Sequence, residues 1–311
     1  MNPAFSVIVF TTVAGAAQGL VVALAFAVLG GVDLGTAFLG RSLLVAAALL
    51  IVGLGASFLH LGRPERAWRA AMMWRTSWLS REVIVLPAFI GIVALWWIAL
   101  RVAVPGPLAN VLFPLAAIGV AAGLWYCTAM IYACLRFIEE WAHPLTLVNF
   151  VLIGMSSGLL LASALGALND AAAFVHSTGP AALVATLAAW AGRTLALRRN
   201  ASIRHRSTLQ SATGIQAPML VQKSMGMSAG SFNTREFFHR ASLAALARVK
   251  LALVVLGYAF PAAIAAYALA SESAWPWVLA VLVQAPGLVA DRWFFFAQAK
   301  HPQNLYYQVV S

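Results

Sequence analysis

Three titratable residues stand in or beside apolar segments, where their side chains would meet the edge of a lipid bilayer. His60 closes one apolar segment, Glu82 opens the next, and Asp291 lies within the last one. An imidazole and carboxylates in such positions can take up and release protons. The sequence therefore predicts a proton-exchanging site at one membrane face. For Asp291 a second interpretation stays open, in which the carboxylate only neutralises an arginine.

The loop between His60 and Glu82 is rich in arginine and ends in aromatic residues. Arg63, Trp78 and, further along the chain, Tyr132 are candidates for the walls of the predicted site. Loop arginines also mark topology and bind lipid headgroups, and Trp and Tyr commonly form the interfacial belt. Both interpretations stay open for these residues. A proton-exchanging pocket beside lipid suits a quinone headgroup, because quinone chemistry couples electron transfer to proton transfer.

The sequence lacks the groups that would carry electrons within this chain. None of the six histidines lies in the middle of an apolar segment, so no buried bis-histidine haem is expected. The two cysteines, Cys127 and Cys134, are too few for an iron–sulfur cluster, which takes about four thiolates. We find no nucleotide-binding, hydrolase or metal-binding motif. Electrons would therefore have to come from a partner protein.

The composition is typical of a polytopic membrane protein. Of the 311 residues, 62% are hydrophobic and 9% are charged, whereas soluble domains carry about 25% charged residues. The net charge is +11. The basic residues that produce it lie between apolar segments, so they indicate membrane topology and argue against nucleic-acid binding. We predict an all-α fold: a single polytopic integral membrane helix bundle over residues 1–311, with eight transmembrane helices.

Eight apolar segments have about the length of a membrane span, which needs roughly 20 residues. The predicted spans are 7–29, 43–59, 83–100, 111–134, 145–168, 181–197, 251–270 and 275–296. The fifth contains Gly-Met-Ser-Ser-Gly at 154–158, which could break a helix as in a transporter. We interpret it instead as small residues that allow close helix packing.

Positive charge is concentrated on one side of the predicted bundle. With eight spans both termini share one side, which we name side A. Of the 20 Lys and Arg residues, only Arg41 and Arg101 are assigned to the opposite side, side B. The positive-inside rule then predicts that side A, with both termini, is cytoplasmic. Side A also holds the basic loop 198–250, for which we predict partner docking, with a disordered linker as the alternative.

Three motifs resemble the dimethyl sulfoxide reductase anchor-subunit family. They are HLGRPERAWRA with SWLSREV at 60–83, MIYACLRFIEEWAHPLTLVNF at 130–150 and DRWFFFAQAKHPQNLYY at 291–307. The resemblance extends over the whole chain and includes the eight spans. Within the family, the chain is similar to membrane subunits of cytoplasm-facing sulfite dehydrogenases of sulfur oxidisers.

The resemblance assigns roles to individual residues. It places His60 and Glu82 near the quinol site, whereas Arg63 stands where family members vary. In the second motif it gives a structural role to Tyr132, Arg136 and Pro144.

The resemblance also implies a complex. Members of this family are haem-free, quinone-reactive anchors of three-subunit molybdoenzymes in the bacterial inner membrane. The implied partners on the cytoplasmic face are a molybdopterin catalytic subunit and a four-cluster iron–sulfur subunit with [4Fe-4S] clusters, and the implied acceptor is ubiquinone or menaquinone. A sulfite:quinone oxidoreductase is therefore expected. Two alternatives stay open: an anchor that oxidises quinol for a dimethyl sulfoxide or polysulfide reductase, and a secondary transporter.

Overall fold

The computed structural model describes residues 1–2, 4–59, 61, 63–102, 106–224, 238–239, 241–271 and 273–306. All regular secondary structure in these ranges is helical, and eight helices are long and apolar enough to cross a membrane, which confirms the predicted fold class. They are α1 (Phe5–Leu29), α2 (Thr36–Phe58), α3 (Trp78–Arg101), α4 (Leu108–Ala133), α5 (Pro144–Leu168), α6 (Ala172–Ala201), α7 (Leu243–Ala270) and α8 (Trp275–Ala297).

Several helices are longer than the apolar segments that predict them. Helix α7 begins at Leu243, well before the predicted start at 251. The Oγ atom of Ser242 accepts a hydrogen bond from the N–H of Ala245 at 3.2 Å and caps the helix. A helix extends into its polar flank because capping, and not hydropathy, decides where its hydrogen bonding starts.

The N-terminal residue lies against the C-terminal end of α8. The amino group of Met1 donates to the carbonyl oxygens of Phe296 and Ala299, both at 3.3 Å. An even number of spans places the start of α1 and the end of α8 at the same end of the bundle, where this contact forms. This end of the bundle is side A, and it contains the first turns of α3 and α5 and the last turns of α4, α6 and α8.

Helices α1 and α5 are in direct backbone contact at mid-depth. A Cβ atom at Gly19 would overlap the backbone of Gly154 and Gly158, and a Cβ atom at Gly158 would overlap the backbone of Gly19. Helix α5 runs unbroken through this region. The segment 154–158 is therefore a packing surface, as predicted, and does not break the helix.

We expect Gly158→Ala to destabilise the bundle by about 1–3 kcal/mol, because adding a methyl group to a tight interface forces the two backbones apart. The melting temperature of the detergent-solubilised protein, followed by size-exclusion chromatography after heating, measures the effect. Gly119→Ala is the control, since a Cβ atom at Gly119 would meet nothing within 4 Å. Equal melting temperatures for the two variants would contradict the prediction.

A polar network ties α5, α6, α7 and α8 together at mid-depth. Helix α7 makes a π-helical turn over Val255–Ala259. The carbonyl of Gly257 in this turn accepts a hydrogen bond from Nε2 of Gln284 at 3.3 Å. Gln284 Nε2 also donates to Ser156 Oγ at 2.8 Å, and Ser156 shares a 2.8 Å hydrogen bond with Thr186. These bonds satisfy polar groups that lipid could not satisfy.

Candidate functional site

Glu82 lies just below side A with its carboxylate turned into the bundle. It is 6% exposed, and its Oε1 atom accepts a hydrogen bond from the hydroxyl of Thr128 on α4. Helical spacing places it on the same buried face of α3 as Leu86 and Phe89. A carboxylate is costly to bury within a membrane bundle, so Glu82 is a candidate functional residue.

Tyr132 lies at the centre of an aromatic cluster at the side A ends of α4, α5 and α8. Its ring centroid is 5.3–5.8 Å from those of Trp141, Phe150, Phe295 and Phe296. The indole N–H of Trp141 donates to the carbonyl of Phe295 at 3.0 Å and fixes the cluster. These contacts agree with the structural role that the second motif implies. They also show that Tyr132 packs within the bundle and is not a belt residue.

Asp291 forms a buried ion pair with Arg193 of α6. Arg193 Nε donates to Asp291 Oδ1 at 2.5 Å, and Arg193 Nη2 lies 3.4 Å from the Asp291 carbonyl oxygen. Asp291 is 1% exposed and Arg193 is 3% exposed. Of the two interpretations of Asp291, neutralisation of an arginine is visible in the structure, and proton handling stays a prediction.

The charge count needs a correction at two arginines. It assigned both Arg193 and Arg292 to side A, but both lie within membrane-spanning helices and are buried. The burial of both arginines could have been predicted from the sequence, because their positions fall inside the predicted spans 181–197 and 275–296. An arginine inside an apolar span must face the bundle interior and find a partner there.

Arg292 stands between two internal cavities. Cavity 1 has a volume of about 20 Å³ open to water and cavity 2 about 10 Å³, so each has room for about one water molecule. Phe150 and Arg292 line both, and the Arg292 guanidinium carbon lies 3.9 Å from the centroid of the Phe150 ring. The polar residues that also line cavity 1 are Glu140, His143, Thr146, Asn149, Arg193, Arg199, Asn200, Asp291 and Gln298. Those that also line cavity 2 are Thr11, Gln18, Trp125 and Thr128.

Two N–H groups of residues that line cavity 2 have no acceptor among the described residues. They are Nε1 of Trp125 and Nε of Arg292, and both atoms are buried. An unpaired buried donor costs about 1–3 kcal/mol, so each calls for water or a ligand oxygen. Thr128, whose hydroxyl is bonded to Glu82, lines the same cavity. Cavity 2 thus combines unpaired donors with a route to a carboxyl group.

Two other predicted site residues, Arg63 and Trp78, are not part of this arrangement. Arg63 is exposed. Trp78 is half-buried, with its ring 5.2 Å from that of Tyr126 and the Arg81 guanidinium 4.0 Å from its own ring centroid. Such contacts suit the interfacial belt. His60 lies outside the described residues.

His143 caps α5 as a hydrogen-bond acceptor. Its Nδ1 atom accepts from the N–H of Leu145 at 3.1 Å. Burial and, second, the charge of Arg199 lower the pKa of His143. Both effects disfavour the imidazolium, so the ring keeps its acceptor role at neutral pH. His143 therefore adds no positive charge to cavity 1.

Sequence comparisons identify the family. Residues 1–296 match the family described as DMSO reductase anchor subunit (DmsC). The chain is 45% identical to a sulfite dehydrogenase subunit of Allochromatium vinosum over 328 residues, which cover 100% of both proteins. It is 32% identical to anaerobic dimethyl sulfoxide reductase chain YnfH of Escherichia coli over 145 residues, 45% of this chain and 48% of that protein. The chain therefore belongs to the DMSO reductase anchor subunit (DmsC) family, as its motifs indicated, and is a membrane anchor of an oxidoreductase complex.

Proposed function

We propose that this chain is the quinone-reactive anchor of a molybdopterin and iron–sulfur oxidoreductase that oxidises sulfite. The full-length similarity to the Allochromatium sulfite dehydrogenase subunit supports this substrate, because the dimethyl sulfoxide reductase chain matches less than half of the present chain. In this proposal electrons pass from the catalytic subunit through the iron–sulfur subunit to quinone bound in this chain.

The unpaired donors of cavity 2 carry the proposal. A quinone ring presents carbonyl oxygens, and Trp125 Nε1 and Arg292 Nε are buried N–H groups that need acceptors. The aromatic ring of Phe150 lines the same cavity. Cavity 2 has a volume of about 10 Å³ open to water, room for about one water molecule, so a headgroup would displace that water and push the lining side chains apart. Trp125 and Arg292 would hold the headgroup, which when bound accepts electrons and protons in equal number.

Glu82 and Thr128 would supply the proton. Thr128 now donates its hydroxyl hydrogen to Glu82. When Glu82 is protonated, the carboxyl can donate to the threonine oxygen, and the hydroxyl hydrogen is then available to cavity 2. This exchange needs no movement of either helix. His60, which the family resemblance places near the quinol site, remains a proposed participant.

Side A is the proposed cytoplasmic face in the bacterial inner membrane. The support is the positive-inside rule, which the burial of Arg193 and Arg292 does not reverse, since only Arg41 and Arg101 are assigned to side B. Both termini would then be cytoplasmic. The predicted loop 198–250 is shorter in the structure, because α6 runs to Ala201 and α7 begins at Leu243. The basic segment 202–242 between them, of which 225–237 and 240 lie outside the described residues, is the proposed docking segment for the iron–sulfur subunit, with the molybdopterin subunit beyond it.

Purification from native membranes in mild detergent tests the proposal. We expect the chain to co-purify with molybdenum and iron, and the complex to oxidise sulfite with either an artificial acceptor or a short-chain quinone. Sulfite oxidation with the artificial acceptor alone would contradict quinone reactivity. Quinol-dependent reduction of dimethyl sulfoxide or polysulfide would support the reductase alternative. Isolation of the chain without metal-containing partners would support a transporter.

Trp125→Phe should weaken the binding of a quinone-analogue inhibitor roughly tenfold, because it removes one donor and keeps the aromatic ring. The inhibition constant for quinone reduction measures this. Trp97→Phe is the matched control: its Nε1 atom is also buried without an acceptor among the described residues, but Trp97 packs near Gly40 and Arg101 toward side B. Equal inhibition constants in both variants and the wild type would exclude Trp125 from the site.

A further inference from the structure

We propose that Glu140 is the residue through which protons from water on side A enter the path to cavity 2. The inference rests on the proposed function, because protons are needed there only if quinone is reduced there. Glu140 borders cavity 1 at side A, Arg292 separates cavity 1 from cavity 2, and Thr128 of cavity 2 is bonded to Glu82.

Glu140 lies between an open cleft on side A and cavity 1. His205 lines the cleft, and its Nε2 atom is 3.5 Å from Glu140 Oε1. The His205 side chain is 29% exposed, whereas that of Glu140 is 4% exposed. His205 can therefore exchange protons with water and pass them to a carboxyl group that water in the cleft barely reaches.

Cavity 1 continues the path inward. Glu140 Oε2 and Asn149 Oδ1 are buried acceptors without a hydrogen-bond partner among the described residues, and both residues line this cavity. A cavity bordered by unpaired acceptors is a place where ordered water binds. Such water would form hydrogen bonds from Glu140 toward Arg292, which separates cavity 1 from cavity 2.

The charges around Glu140 favour transfer along a hydrogen-bonded chain. The charged or titratable groups that line cavity 1 are Glu140 and His143 from the segment before α5, Arg193 and Arg199 from α6, and Asp291 and Arg292 from α8. His205 and the amino group of Met1 act on Glu140 from outside. The three arginines that line cavity 1 outnumber its two carboxylates, so their positive charge disfavours a free hydronium ion in the cavity. Proton transfer into cavity 1 therefore has to begin at an acid group that holds the proton at the entrance.

Oxidation of one sulfite to sulfate takes one oxygen atom from water and releases two electrons and two protons. The electrons would pass through the iron–sulfur subunit to quinone, which takes up two electrons, and two protons from side A water, to become quinol. Each proton would leave the Glu140 carboxyl group, pass along water in cavity 1 and past Arg292 into cavity 2, and there reprotonate Glu82 through Thr128, which would pass it to the quinone oxygen. Glu140 is then reprotonated through His205.

Glu140→Gln in the intact complex tests the proposal, because the amide keeps the size of the side chain and cannot carry the proton. We expect quinone-linked sulfite oxidation to fall roughly tenfold or more, with an unchanged rate toward an artificial acceptor that bypasses this chain. Glu140→Asp should retain most quinone activity. A mobile weak acid such as acetate should raise the rate of Glu140→Gln and leave the wild-type rate unchanged.

Glu139→Gln is the matched control. Glu139 is the adjacent carboxylate, but it does not line cavity 1, and its Oε1 atom accepts from the N–H of Arg206 at 3.0 Å. Normal quinone activity in Glu140→Gln would overturn the inference and leave the proposed function intact. A parallel loss of both activities, or a loss that neither aspartate nor acetate restores, would assign Glu140 a structural role and also overturn it. Failure of the wild-type complex to reduce quinone would refute the proposed function itself.

Discussion

Asp291→Asn is expected to remove most folded protein from the membrane. Asp291 is buried beside Arg193 and next to Arg292 in sequence, so the change leaves two buried guanidinium groups without their carboxylate. Leaving a buried charge uncompensated costs about 3–5 kcal/mol, which is a large share of the stability of a typical protein. The yield of monodisperse protein in detergent and its melting temperature measure the loss.

Arg193→Met should cost less than Asp291→Asn, because Asp291 would still have the charge of Arg292 beside it. The double variant Arg193→Met/Asp291→Leu should recover part of the stability that the single Asp291 change removes, since it deletes the pair together. Asp170→Asn is the control: Asp170 is exposed, and its φ of 55° suits asparagine. Wild-type stability for Asp291→Asn would show that the pair does not hold α6 and α8 together.

The eight-helix bundle could be predicted from the sequence because the membrane imposes a local requirement. Each span needs a long apolar run, and runs of that kind are visible without knowing what they contact. A close packing surface at 154–158 was also visible in the sequence, although its partner helix α1 and Gly19 were not. Helix ends were predicted less well, because capping residues such as Ser242 extend a helix beyond its apolar part.

Cavity 2 could not be predicted, because its lining depends on how the helices are rotated. Gln18, Trp125, Thr128 and Arg292 come from three different helices, and nothing in their local sequence shows that they face one space. Gly154 illustrates the dependence: a Cβ atom there would lie 2.6 Å from Trp125 Nε1, so the glycine makes room for the indole. Arg292 was the one detectable member, since a charge inside a span indicates a function or a partner.

Glu82→Gln is expected to slow quinone reduction by on the order of 10²-fold, because proton transfer by a positioned acid typically contributes that much or more. The amide keeps an oxygen that can accept from Thr128 but cannot deliver a proton. The stability of the folded protein should not decrease, because a neutral amide costs less free energy to bury than a carboxylate. Thr128→Val, which removes the hydroxyl between Glu82 and cavity 2, should also reduce the rate, and Thr128→Ser should largely retain it.

Each variant is assayed as an assembled complex, with sulfite as the donor and either quinone or an artificial acceptor. A loss confined to the quinone assay would place Glu82 and Thr128 in the delivery of protons, since the artificial acceptor takes electrons before they reach this chain. Glu65→Gln is the control, because Glu65 is exposed and 3.9 Å from Arg66 in the same polar segment. Unchanged quinone reduction in Glu82→Gln would exclude this carboxylate, and a loss in both assays would show that it supports assembly.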